Sequence, residues 1–165
     1  MKTILPMLAL AALPVLAADS AASSDKFVQD FSKHWAIAKQ LTLDVANAMP
    51  ESDYSFKPNP EEMSFGEQMV HIAAANYSYC SRAKGEKSPF SKPATSDHAA
   101  AVQALTSSFD YCSDAVQGAK DLDAMKGPMD VREIMLGAYA HMAHHRGQAE
   151  VYLRVKGIKP PAYKF

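Results

Sequence analysis

The sequence has no excess of either charge: 17 lysines and arginines face 18 aspartates and glutamates over 165 residues, a formal net charge of −1. Without a basic footprint nothing would hold a phosphate backbone or an anionic membrane surface, so no nucleic-acid partner is expected. Glycine is scarce, at seven residues, and no glycine-rich phosphate loop occurs. There are two cysteines and no CxxCH string, which argues against covalently attached haem. Strand-like alternation is missing, and so is a long internal repeat. No serine, histidine and acid arrangement can be argued, and no cysteine and histidine pair has supporting context. What is present is 48% apolar residues, ample for one buried core in one domain.

The opening stretch MKTILPMLALAALPVLAADS carries Lys2, an apolar run from Ile4 to Leu16 and small residues at its end. It reads as a signal peptide over residues 1–17, cleaved after Ala17 or, failing that, Ala18. An uncleaved anchor is the alternative, but the run is shorter than the ~20 apolar residues a spanning helix needs. Pro6 and Pro14 also interrupt it. No cysteine follows, which removes a lipoprotein anchor. The mature domain, residues 18–165, is therefore expected to be periplasmic or secreted, without stable membrane insertion, in a compartment where two cysteines can pair.

Four helices are legible. Phe27, Phe31, Trp35, Ala38, Leu41, Val45 and Met49 recur at steps of three and four between Asp25 and Met49, and Pro50 stops that helix. Ser64 and Glu67 make a capping box for a second helix reaching about Ala83. After the loop KGEKSPFSKPATS, Thr95 or Ser96 caps a third helix that Gly118 ends. Asp130 and Glu133 form a further box, and the fourth helix runs to about Lys156 before Gly157, Pro160 and Pro161. Its residues sort by face. Ile134, Ala138, His141, His145, Gln148, Tyr152 and Val155 form an inward seam, whereas Arg132, Arg146, Glu150 and Arg154 fall on a solvated side with ordinary four-residue ion pairs.

His141 and His145 are one turn apart and can ligate one ion from one helical face. By spacing alone the signal is weak, since such pairs also serve packing or capping. Burying two imidazoles without partners costs on the order of 1–3 kcal/mol each, and a bound cation removes that penalty. His144, on a strip with Ala140, Gly147 and Val151, is expected to pack on a neighbouring helix. His34 and His98 read as surface or rim residues. Gln148 and Tyr152 can hydrogen-bond a ligand ring from behind, or simply fill the core with a satisfied polar tip. Glu67 is a candidate base one turn before His71, although its capping role already explains it. Met69, Met135 and Met142 are read as bundle packing, not as copper ligands.

The strings MSFGEQMVHIAAANY and AHMAHHRGQAEVYLRVKGIKPP resemble the two signature segments of DinB-like proteins, and the resemblance covers essentially the whole mature chain. It implies an all-α, up-down-down-up four-helix bundle with a long crossover between helices 2 and 3. It also implies that His71 joins His141 and His145 as a metal ligand, and that Arg146, Gly147 and Gln148 belong to the same signature. Three imidazoles leave a coordination position open, as catalytic sites do, and would accept one divalent zinc, nickel, manganese or iron ion. Family members include thiol-dependent transferases, so the resemblance implies that class of reaction. Export makes a metal-dependent hydrolase of a small molecule comparable, and a non-catalytic metal or ligand binder or scaffold is the alternative. A homodimer is carried as an alternative to a single chain.

Cys80 and Cys112 are expected to form a disulfide between helices 2 and 3, away from the metal. Each lies sixteen residues beyond its expected cap, Ser64 or Ser96, so the sulfurs meet only if those helices run parallel. The twelve-residue loop Lys84 to Thr95 spans up to ~40 Å, enough to return along a helix of ~30 Å. Two buried free thiols are the alternative.

Overall fold

The computed structural model describes residues 15–164, with side chains described from Lys26 onward. The expected signal peptide and its cleavage position lie outside the residues whose side chains are described. The bundle consists of α1 (Val15–Ala48), α2 (Phe65–Lys84), α3 (His98–Gln117) and α4 (Val131–Val155). A short 3-10 turn at Glu51–Asp53 follows Pro50. No helix among the described residues is long and apolar enough to cross a membrane.

The helix directions follow from which residues meet. Asn76 donates to Ser108 Oγ at 3.2 Å, and Cys80 is bonded to Cys112 with Cα atoms 5.2 Å apart. Both pairs are 32 residues apart, so α2 and α3 run parallel. Pairs between α2 and α4 run the other way, with Gln68 against Gln148 and Tyr79 against Gly137. α1 is antiparallel to α3, with Trp35 donating to the Phe109 carbonyl at 3.0 Å and Asn47 meeting His98 at 2.9 Å. It is parallel to α4, with Phe27 under Arg132 and Thr42 against Met142. The result is the up-down-down-up bundle, and residues 85–97 form the long crossover.

Local chemistry sets the helix ends. Ser64 and Glu67 form the full reciprocal capping box of α2, and Gly85 at φ 74° takes the left-handed position after it. The cap of α3 is Asp97, not Thr95 or Ser96. Its carboxylate accepts from Ala100 N at 2.9 Å and from the Thr95 hydroxyl at 2.7 Å, so Thr95 supports the cap without being it. Asp130 accepts from Glu133 N at 2.8 Å, which is one half of the box expected there. Just before it, Met125–Lys126 pairs with Met129–Asp130 around Gly127, at φ 75°, and Pro128. A two-residue ladder is too short to show alternation, which is why the sequence did not reveal it.

Trp35, Phe65, Phe109, Met69, Ile134 and Met142 are fully buried and fill the centre. α4 buries a wider arc than one seam because it packs on both α2 and α1. Arg146, expected on a solvated face, is therefore 7% exposed. It extends along Met142 and Glu150, and the Tyr163 ring of the C-terminal tail lies 6.0 Å from its guanidinium. Val155, expected in the inward seam, is 59% exposed, because it ends the last turn of α4 where the bundle no longer covers it.

Candidate metal centre

Gln68 and His71 lie three residues apart on α2 and share a face; His141 and His145 lie four apart on α4. Because the two helices run antiparallel, His71 stands opposite the interval between His141 and His145. The ring centroids are 5.0 Å (His71 to His141), 4.4 Å (His71 to His145) and 4.5 Å (His141 to His145) apart. One nitrogen from each ring lies within 4.8 Å of the others, and the Nε2 atoms of His71 and His145 are 3.2 Å apart. Among the described residues this is the one group of three or more histidines, cysteines or acids so arranged. Zinc with nitrogens at about 2.0–2.1 Å in tetrahedral geometry spaces them by roughly 3.3 Å, a spacing that His71 and His145 already have, while His141 lies within 4.8 Å of both.

The electrostatics favour neutral ligands. Burial lowers His145 to about 4, reinforced by the His141 and His71 imidazoles. His141 is lowered by burial and then by His71 and His144. Neutral imidazoles offer lone pairs without first losing a proton. Among the described residues Nδ1 of His141 is buried with no hydrogen-bond partner. An orphaned polar atom in a cluster of neutral nitrogen donors is an arrangement that a cation would stabilise.

Behind the triad lies a polar network. His145 Nδ1 meets Gln68 Oε1 at 2.9 Å. Gln68 Nε2 donates to Gln148 Oε1 at 3.1 Å and to Tyr152 Oη at 3.5 Å, and Tyr152 donates to the Met63 carbonyl at 2.9 Å. Gln148 and Tyr152, singled out from the sequence, thus reach the histidines through Gln68, a residue that sequence reasoning passed over. Its signal was its place one turn before His71 on the same face.

The remaining candidates lie elsewhere. His144 is exposed, not packed on a neighbouring helix, because its strip of α4 faces away from α1 and α2; Leu136 and Val151 on that strip are exposed too. His98 sits at the rim, bonded to Asn47 and 3.5 Å from Glu51. His34 is half-buried on α1. Glu67 accepts from Ser64 N at 2.7 Å and pairs with Lys57 at 3.6 Å. Its carboxyl is held below the ordinary range, first by that main-chain hydrogen bond, which makes it a weak base and supports the capping role. Beside the triad opens a cavity of about 600 Å³ whose wall includes His71, Glu67, Val70, Met63, Phe90 and Lys92.

This is a helical bundle that gathers, between two antiparallel helices, three histidines that could hold a metal ion, one of them in a cavity wall. The family model of the DinB superfamily matches residues 34–149, and the chain belongs to that superfamily. Two solved structures share the fold. A DinB-like protein from Bacillus cereus ATCC 10987 matches with a TM-score of 0.70 at 19% identity, over 82% of this chain and 97% of that one. A DinB-like protein from Bacillus subtilis matches with a TM-score of 0.68 at 20% identity, over 81% of this chain and 96% of that one. No curated protein matches the chain.

Proposed function

We propose that this protein is an exported metalloprotein that binds one divalent ion through His71, His141 and His145 and acts on a small molecule held in the adjoining cavity. The observation that carries the reading is the convergence of three imidazole nitrogens within 4.8 Å, with one of the rings in the cavity wall. Three nitrogens leave room for a further ligand, the arrangement of catalytic and not of closed structural sites. When bound, the ion supplies Lewis acidity toward a polarisable oxygen or sulfur. The chain's own residues do the rest: His71, His141 and His145 hold the ion, Gln68 orients one of them, and Val70, Met63 and Phe90 give the cavity an apolar wall beside Lys92.

Two reaction classes fit: hydrolysis of a small molecule, and transfer of a thiol to one. The Cys80–Cys112 bond and the signal-like N-terminus support an oxidising compartment, where reduced small thiols are scarce, which weighs toward hydrolysis. The test is titration of metal-free protein with Zn²⁺ and Mn²⁺ under chelator buffering, followed by assays on panels of small esters, amides and thiol acceptors. One ion per chain and activity abolished by chelation and restored by metal are expected. Full activity in metal-free protein would overturn the enzymatic reading. Tight binding without turnover on any panel would leave a non-catalytic binder.

A further inference from the structure

We propose that Gln68 is the positioning residue of the metal centre, holding His145 in the tautomer that carries its proton on Nδ1 and turns the Nε2 lone pair toward His71. The inference rests on the metal reading above, but its first test needs no metal.

The hydrogen-bond directions from Met63 to His145 follow from one fixed end. The main-chain carbonyl of Met63 can only accept, so Tyr152, 2.9 Å away, commits its single proton there. The Tyr152 oxygen is then an acceptor for its other neighbour, Gln68 Nε2 at 3.5 Å. The same nitrogen lies 3.1 Å from the Gln148 amide, which follows it by presenting Oε1. This end of the Gln68 side chain is therefore the NH₂, and the end facing His145 is the carbonyl oxygen. An oxygen 2.9 Å from His145 Nδ1 requires a proton on that nitrogen. His145 Nε2 is left with its lone pair, 3.2 Å from His71 Nε2. The flipped amide would set its oxygen against the Tyr152 oxygen, and Gln68 is 1% exposed, so water cannot relieve that conflict.

The consequence reaches beyond one ring. Met63 belongs to the segment between α1 and α2 and lines the same cavity as His71. The chain Met63, Tyr152, Gln68, His145 thus fixes a ligand's orientation to the backbone of the cavity wall. Ligating histidines commonly give their other ring proton to such a partner, and losing the partner costs ~10–100-fold in metal affinity. Here the partner is a neutral amide presented from the facing helix.

Two measurements test this. Long-range ¹H–¹⁵N spectra of the metal-free protein near neutral pH should show His145 protonated on Nδ1 and bare on Nε2; the opposite tautomer would overturn the assignment. Zinc titrations should then show Gln68→Met weakened ~10–100-fold. Gln68→Glu keeps an oxygen for Nδ1, its second oxygen is met once the Gln148 amide turns its NH₂ toward it, and affinity should stay within severalfold of the parent. Loss of affinity to the same extent in both variants would mark a merely structural role and overturn the proposal, as would undiminished binding by Gln68→Met. If Gln68→Met does not fold, the tautomer and Gln68→Glu decide. Parent protein with the expected tautomer that takes up no ion would overturn the metal reading and the positioning role with it. Ion uptake with the opposite tautomer would overturn the Gln68 assignment alone.

Discussion

The Nε2 atoms of His71 and His145 stand 3.2 Å apart although 74 residues separate them in the chain. Only the antiparallel register of α2 and α4 brings them together, and His141 completes the group one turn away. Each of His71→Ala, His141→Ala and His145→Ala should therefore weaken zinc binding by more than the ~10–100-fold expected for losing a supporting hydrogen bond. His144→Ala, on the exposed face, should change affinity little. Isothermal titration of the four variants checks this, and equal losses at His144 and His145 would sink the ligand assignment.

Acid should destabilise the metal-free protein through the same cluster. His145 is lowered from 6.5 to about 4, with burial the first cause. Between those values the unfolded chain binds a proton that the folded one refuses, so stability rises with pH in that window. The contribution is fully present above the ordinary value and is lost as pH falls toward about 4. Urea midpoints of the parent and of His145→Gln, compared across this range without metal, should move against the parent as pH falls. A constant difference would refute it.

Helix ends were legible because capping is local: Ser64 with Glu67 and the stop at Gly118 follow from neighbours in sequence. What needed the third dimension was not. Spacing alone paired His141 with His145, and only the family resemblance joined His71 to them. Gln68 stayed hidden because its partners lie 77 and 80 residues away on α4. Arg146 was placed on a solvated face because a single seam was assumed for α4, whereas α1 covers a second stripe containing Met142. His144 was expected to be packed for the converse reason: among the described residues no helix stands against its side of α4.

The Cys80–Cys112 bond closes a loop of 32 residues between parallel helices. By loop length such a bond stabilises the fold by ~3–4 kcal/mol through the unfolded chain. Both cysteines are fully buried, so reductant should act only after opening. Denaturing, non-reducing thiol counts should be zero, and the urea midpoint should drop when dithiothreitol is present throughout. Two reactive thiols in the oxidised, denatured preparation would contradict the bond.

Gly66 and Gly147 offer the same substitution in two helices with opposite expected signs. A methyl group on Gly66 would run into the Ser96 carbonyl oxygen and stand 3.1 Å from the Tyr54 ring. The first contact is with backbone, and Ser96 precedes Asp97, the cap of α3, so it cannot withdraw without disturbing that helix start. The crossover between α2 and α3 therefore returns to a seat that only glycine leaves open. Among the described residues a methyl group on Gly147 would meet nothing within 4 Å. Replacing a helical glycine by alanine ordinarily stabilises by up to ~1 kcal/mol, and Gly147→Ala should follow that rule. Gly66→Ala should instead lose ~1–3 kcal/mol to overpacking. Urea unfolding of the two variants beside the parent measures both signs. A Gly66→Ala protein as stable as the parent would show that the crossover does not rest on α2 as described.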